Sequence, residues 1–185
     1  MTGQTPDTLI YKNTSYAIVG MKGEEILHPI DFGLEPRSPH TGNWRGYVMR
    51  YKVQSQRLLL DKMDVYVEDL NLDPPKINDV KPTKKKEGLL HLVYKYLNLQ
   101  TKFTGGILIG KDFIYSMYVH MGFQSPISHE TVFELVFENG ILISRKDLSK
   151  LMKEYREKGK SDGKLAPNGD VMKWISRTFS LDYEY

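Results

Sequence analysis

Residues 98–146 read NLQTKFTGGILIGKDFIYSMYVHMGFQSPISHETVFELVFENGILISRK, and they contain the longest apolar runs and the densest glycines of the chain. Within them, the run FELVFE at 133–138 alternates in the two-residue period of a half-buried β-strand. Asn139 and Gly140 follow, a pair that tolerates positive φ at both centres of a type I′ turn. These features predict a β-hairpin over residues 131–144.

Alternating residues bounded by turn signals predict further strands on both sides of this hairpin. Residues 89–99 fit either a helical stripe or a strand, and their β-branched and aromatic content favours the strand. The prolines of 20–42 predict a loop with one short helical turn, and the prolines and lysines of 70–87 predict another loop. The other predicted strands are 8–11, 16–19, 44–53, 58–67, 107–109 and 113–119.

The C-terminal part of the chain has a helical period. Asp147 is a good N-cap, and Leu148, Leu151, Met152 and Tyr155 follow at i, i+3, i+4 and i+7, which predicts an amphipathic helix at about 147–158. A short C-terminal helix capped by Asp170 is expected after a polar linker. The predicted fold is α+β and mostly β, an antiparallel sheet curled into a sandwich or partial barrel. We expect one domain over 1–185, with a β-rich body at 8–146 and a helical region at 147–185.

Composition limits the classes of protein that fit. The 185 residues are 40% apolar and 11% aromatic, which excludes a disordered chain. The absence of cysteine excludes disulfides, thiolate zinc sites and cysteine nucleophiles. No apolar run approaches the roughly 20 residues of a membrane span, and the chain does not open on a signal peptide, so we expect a soluble cytoplasmic protein.

Three patterns in the sequence resemble parts of catalytic or metal sites. Gly105, Gly110 and Lys111 match most of a phosphate-binding loop, but Asp112 stands in the Ser/Thr position and would repel phosphate, which favours turn glycines. His120, His129 and Glu130 lack the spacing of a zinc or catalytic motif. The acids Asp61, Asp64, Glu68 and Asp69 favour a solvated strand end over a hydrolytic pair. The sequence predicts no catalytic residue, metal or cofactor, and a protein that is not an enzyme is favoured.

Basic residues concentrate in two segments. Residues 81–86 contain four lysines, and residues 145–164 contain eight lysines and arginines against four acids. Such segments could hold a phosphate backbone, although charge interleaved with acids is usually a solvated helix face. Nucleic-acid binding through 81–86 and 145–164 therefore remains an alternative.

Four short segments carry a resemblance. TGGILIGKDF at 104–113, YVHMGF at 118–123, VFELVF at 132–137 and WRGY at 44–47 resemble a group of small uncharacterised bacterial proteins that share a TGG-led strand and a YVHMGF segment. The resemblance covers about 44–150. It implies a bacterial origin and a whole domain, and it implies no activity.

The expected function is the binding of another macromolecule. Twelve tyrosines and two tryptophans exceed what a core of this size needs, and both residue types favour interfaces. We predict a bacterial protein-binding or accessory protein, immunity-like or a complex subunit, whose partner is another protein. A small-ligand-binding β domain is the alternative, with a cavity lined by Tyr47, Tyr51 and Phe133 favouring it and a filled core opposing it. The predicted interaction surface is Trp44, Arg45, Tyr47, Tyr118, His120, Met121 and Phe123.

Overall fold

The computed structural model describes residues 2–68, 73–159 and 179–183. These residues form nine strands, one α-helix and three short 3-10 turns, so the fold is α+β and mostly β, as predicted. The turns are Pro29–Phe32, Tyr115–Met117 and Pro126–Ser128. The longer elements are β1 (Thr8–Tyr11), β2 (Thr14–Gly23), β3 (Tyr47–Gln54), β4 (Arg57–Val67), β5 (Thr83–Glu87), β6 (Leu89–Gln100), β7 (Gly105–Phe113), β8 (His129–Glu138), β9 (Ile141–Asp147) and α1 (Ser149–Glu157).

The strands form one mixed sheet that curls into a ring. Their order is β3-β1-β2-β7-β8-β9-β4-β6-β5, and β3 also pairs with β4, which closes seven strands on themselves. The pair β1–β3 is parallel, whereas the other strand pairs are antiparallel. The contact between β9 and β4 is a single residue pair, Arg57 with Ile141.

The predicted hairpin around Asn139-Gly140 is confirmed as β8 and β9. Asn139 has a φ of 47° and Gly140 a φ of 76°, the two positive values that a type I′ turn requires. A Cβ at Gly140 would also clash with the carbonyl oxygen of Thr101, so this position needs glycine for space as well as for conformation.

Two layers of apolar packing stabilise the sheet. Inside the ring, the largest cluster includes Leu9, Met49 and Leu135, all fully buried. Outside the ring, α1 packs on β8 and the turn at Pro126–Ser128, and a second cluster joins Met152 of α1 to Leu108 of β7 and to Tyr183. Strand β7 is therefore covered on both faces, which explains its uninterrupted apolar run.

Helix α1 starts two residues later than the predicted N-cap. Asp147 still accepts a hydrogen bond from the Ser149 amide at 2.9 Å. In the last turn of α1, Arg156 donates to the carbonyl oxygens of Ile127 at 2.8 Å and His129 at 2.9 Å, and it forms an ion pair with Glu130 at 2.9 Å. The predicted short C-terminal helix capped by Asp170 lies outside the described residues.

Two loop and strand predictions are wrong. The lysine run was predicted as loop but forms the edge strand β5, where exposed lysines oppose pairing with other sheet edges. Residues 113–119 were predicted as a strand, but β7 ends at Phe113 and a 3-10 turn follows. Tyr115 in this turn is 86% exposed, so the aromatic content of the segment does not reflect strand packing. The favoured strand at 89–99 is confirmed as β6.

Candidate binding surface

The fold brings the two halves of the predicted interaction surface together. Strands β1 and β3 are parallel, so the residues that precede them lie at the same edge of the sheet. There Arg45 donates two hydrogen bonds to Asp7, each 2.9 Å long, and Asp7 also accepts the Met49 amide at 2.7 Å. A bidentate pair of this kind fixes both distance and orientation.

The guanidinium of Arg45 also contacts both predicted segments. It lies over the ring of Tyr47 at 4.6 Å and over the ring of Phe123 at 5.3 Å. Burial alone would lower the pKa of Arg45, but the charge and hydrogen bonds of Asp7 outweigh burial, so the pKa is raised above its ordinary value. Arg45 is therefore a charged internal contact that links 44–47 to 118–123.

Tyr47 is part of the core. Its side chain is 3% exposed, and its hydroxyl donates to Glu25 at 2.5 Å. Burial and the Glu25 hydrogen bond both raise the pKa of Tyr47. The phenol is thus a neutral hydrogen-bond donor at physiological pH.

The N-terminal residues join the same edge. The Gln4 amide donates to the carbonyl oxygen of Gly122 at 2.7 Å, and the Gly3 amide donates to the Tyr118 hydroxyl at 3.0 Å. The Gln4 side chain accepts the Trp44 amide at 2.9 Å. Three segments distant in sequence therefore meet on one surface.

The seven predicted residues divide by exposure. Trp44 is 49% exposed, and its ring stacks on that of Phe179 with the centroids 5.0 Å apart. Tyr118 is 40% exposed, and its ring packs edge-on against the exposed His120 with the centroids 4.9 Å apart. Arg45 is half-buried in its ion pair. The buried members are Tyr47, Met121 and Phe123. These three support the surface from inside, so any direct contact with a partner falls to Trp44, Tyr118 and His120.

A mostly apolar cavity of about 330 Å³ lies beside these residues. The chain after β7 doubles back over the outer face of β2, and the N-terminal segment forms a third wall. Tyr115, which is exposed, lines the cavity together with Tyr118. The sequence predicts a strand at this position, and so gives no sign of the cavity. The lining residues are Gln4, Pro6, Ala17, Ile18, Val19, Phe113, Tyr115, Tyr118, Phe123, Gln124 and His129.

His129 is the histidine of this cavity. Its Nδ1 donates to the carbonyl oxygen of Ser125 at 3.1 Å, and its ring contacts Phe113 edge-on at 5.2 Å. Burial lowers the pKa of His129, although the carbonyls of Ser125 and Pro126 oppose this shift. The imidazole is consequently neutral at neutral pH. A Cβ at Gly110 would lie 2.8 Å from its Cγ, so this glycine makes room for the ring and belongs to a strand, not a phosphate loop.

The acids considered for catalysis are held in ion pairs. Asp61 is the extra residue at a bulge in β4, where the register against β3 and β6 shifts. It is 5% exposed and binds Arg50 at 2.6 Å and Lys52 at 3.1 Å, so the prediction of a solvated Asp61 is wrong. Asp64 pairs with Lys62 at 2.5 Å and lies 3.2 Å from His91, whereas Asp69 lies outside the described residues. Among residues 2–68, 73–159 and 179–183, no group of three His, Asp or Glu side chains could hold a metal ion.

The two basic segments do not form one surface. Strand β5 reaches β4 through β6 near Asp64–Val67, whereas β9 meets β4 at Arg57. At about 3.3 Å per residue, these points lie about 25–30 Å apart along β4. The part of the second segment beyond Gly159 lies outside the described residues.

The interior of the ring is filled at the positions considered for a ligand. Tyr47, Tyr51 and Phe133 belong to the main core cluster and are 3%, 2% and 9% exposed. Burial raises the pKa of Tyr51, whose hydroxyl lies 3.0 Å from the Met49 sulfur. This packing opposes a ligand enclosed between these three rings.

Comparison with protein-family models, curated proteins and solved structures finds no match to this chain. Across the described residues, no helix combines the length and apolar character that crossing a membrane requires.

Proposed function

We propose that this domain is a protein-binding module, the accessory or immunity-like role predicted from the sequence. The carrying observation is the apolar cavity lined by Tyr115, Tyr118 and Phe123, next to the place where Phe123 contacts Arg45. Exposed aromatic side chains at this place supply the large, rigid contact area that interface centres favour. The proposed contact surface is Trp44, Tyr115, Tyr118 and His120.

The cavity defines how a partner would bind. Its apolar lining accepts an apolar or aromatic anchor side chain, and Tyr115 would become buried as the partner closes over it. Burial of an aromatic side chain removes about 150–250 Å² from water. Tyr115 is therefore the residue whose truncation should weaken a complex most, by about 2 kcal/mol or more if it is an interface hot spot.

Variants at matched tyrosines test the proposal. Tagged wild-type protein, Tyr115→Ser and Tyr96→Ser would each be used to capture partners from nuclease-treated lysate of the native host. Tyr96 is a suitable control because it is 72% exposed and lies on β6, away from the cavity. The captured protein would then be purified and its dissociation constant measured against all three chains.

The expected result is a nuclease-resistant protein whose affinity falls at least about tenfold with Tyr115→Ser and is unchanged with Tyr96→Ser. Equal binding by the two variants would overturn the proposed surface. Recovery that disappears with nuclease would favour nucleic acid, and the absence of any captured protein would oppose a protein partner.

A small ligand in the same cavity is the second candidate. The observation that favours it is the neutral His129 in an otherwise mostly apolar cavity, an arrangement typical of small-molecule sites. Indole is a suitable probe because it is aromatic and has one N–H donor. Saturable binding of indole that Ala17→Leu abolishes, with the fold retained by circular dichroism, would support a ligand site. Failure of indole and related aromatic alcohols to bind would leave the cavity to a partner side chain.

A further inference from the structure

Strand β9 has an open outer edge. One edge of β9 pairs with β8 along the whole strand. On the opposite edge, called the outer edge below, Ile141 alone pairs with Arg57 of β4. The next main-chain bond, from the Leu142 amide to the Gln56 carbonyl oxygen, is 2.7 Å long. Within the part of the chain that the structure describes, no main-chain bond reaches the outer edge at residues 143–147.

The edge is open because β4 begins at Arg57. In the antiparallel register of Arg57 with Ile141, residues 143–147 extend past the start of β4, where the turn at Ser55–Gln56 leads back into β3. The two strands therefore separate after one residue pair. The ring stays closed only at this end.

A cleft of about 450 Å³ adjoins the open edge. One wall is Leu142–Arg145 of β9, and the other is formed by the ends of the β1–β2 and β3–β4 hairpins. Ile143, at the bulge in β9, is 57% exposed in this wall. The cleft thus combines unpaired main-chain groups with an exposed apolar side chain, the two features that strand addition uses.

The charge around the cleft is positive. Lys12 and Arg145 are exposed at the cleft, and the Arg145 guanidinium lies 4.1 Å from the centre of the Phe133 ring. Lys146 is exposed at the next position of β9, on the other face of the strand. The acid on this strand, Asp147, accepts the Ser149 amide, and interaction with the Ser149 hydroxyl and with this amide lowers its pKa. Like charges discourage pairing with another basic edge, whereas an acidic strand gains from the same groups.

We propose that the outer edge of β9 is a second protein-docking site, which takes an extended acidic segment of a partner as an additional antiparallel or parallel strand. The partner's main chain would pair with residues 143–147, an apolar side chain would pack on Ile143, and its carboxylates would face Lys12, Arg145 and Lys146. A nucleic acid would use the cations but not the main-chain edge. The inference uses different elements from the cavity surface and does not depend on it.

Synthetic peptides test this site on the full chain. The first probe is a capped ten-residue peptide that alternates glutamate with valine; the second is identical but N-methylated at alternate residues, and the third replaces glutamate with lysine. Binding would be measured by fluorescence anisotropy, and amide hydrogen exchange would locate the protected residues. A single-stranded oligonucleotide of equal length serves as the competing class.

The acidic peptide is expected to bind and to protect amides within 143–147. N-methylation of the peptide amides that would donate to β9 should abolish binding, since strand addition depends on main-chain hydrogen bonds. The double variant Arg145→Glu/Lys146→Glu should weaken binding at least about tenfold. Lys81→Glu/Lys85→Glu, which reverses the same charge beside the other edge strand, should leave it unchanged.

Several results would overturn the inference. They are absence of binding by the acidic peptide, equal binding by the lysine peptide, and equal loss with both double variants. Tighter binding of the oligonucleotide, insensitive to blocking of the edge, would assign the positive charge to nucleic acid instead. Circular dichroism of each variant confirms that the measured loss is not unfolding.

Discussion

The ion pair of Arg45 with Asp7 gives the sharpest prediction about stability. The side chains are 24% and 13% exposed, and Arg45→Ala would leave the Asp7 carboxylate with the Met49 amide as its remaining described donor. Breaking a buried pair costs about 3–5 kcal/mol, and partial exposure places this pair at the lower end. Loss of the contacts with two aromatic rings adds about 0.5–1 kcal/mol for each. We expect the free energy of unfolding to fall by about 4–5 kcal/mol.

Arg37 provides a matched control. It also pairs with two acids, Glu35 at 3.5 Å and Glu68 at 3.1 Å, but its side chain is 48% exposed and theirs are 80% and 52%. Exposed pairs contribute about 0–1 kcal/mol, so Arg37→Ala should have little effect. Both variants would be measured by urea denaturation followed by far-ultraviolet circular dichroism.

A double-mutant cycle separates the pair from general damage to packing. Asp7→Ala and Arg45→Ala, singly and together, should give a coupling energy of about 2 kcal/mol or more, since each single change leaves a partner without its counter-charge. Equal losses for Arg45→Ala and Arg37→Ala, or a coupling energy below about 0.5 kcal/mol, would refute the argument that this pair holds the two segments together.

Further predictions concern the turn, the bulge and the helix. Gly140→Ala should lower the free energy of unfolding by more than about 2 kcal/mol, because a positive φ is combined with a clash against the main chain. Gly159→Ala, at a φ of 61° in open space, should lower it by about 1 kcal/mol. Urea denaturation measures both. Burial favours a raised pKa for Asp61, but Arg50 and Lys52 lower it below its ordinary value. Its stabilisation is therefore present above the unfolded pKa of about 4 and is lost as pH falls through the folded pKa, so the stability gap between wild type and Asp61→Asn should shrink below about pH 4. A gap constant from pH 7 to pH 2 would contradict this. Met152→Ala should lower the free energy of unfolding by about 2–4 kcal/mol, because this side chain of α1 is fully buried against the sheet. An unchanged urea midpoint would show that the packing of the helix does not depend on it.

Local patterns in the sequence predicted much of the sheet. The hairpin at Asn139-Gly140 carries its own register, because the turn pair and the alternation of 133–138 are both local. The lysine run carries no such signal. Lys84–Lys86 has the composition of a polar loop, and it forms a strand because it pairs with β6. Strand β5 is thus formed by tertiary context, where propensity alone predicted otherwise.

The bulge at Asp61 explains a further failure of pattern analysis. Strict alternation through 58–67 predicts that Leu59, Met63 and Val65 share one face, but the structure buries Leu58 and Leu60 and then Met63 and Val65. One extra residue at Asp61 exchanges the faces within a single strand. No local signal marks it, because Arg50 and Lys52, which make the buried carboxylate tolerable, lie on the neighbouring strand.

The sequence could single out the two segments of the predicted surface, but it could not predict how they meet or which of their side chains are exposed. Segments 44–47 and 118–123 were selected for their aromatic content, and nothing in either segment shows that Asp7 joins them. That contact follows from the parallel pairing of β1 with β3, which places Asp7 beside Arg45, and from the return of the chain after β7 across β2. Because Arg45 contacts Phe123 directly, the exposed aromatic side chains at the cavity are supported by a largely buried ion pair. Under the proposed protein-binding role, a surface supported in this way would lose little conformational freedom on binding, so less of the binding free energy would be spent on ordering it.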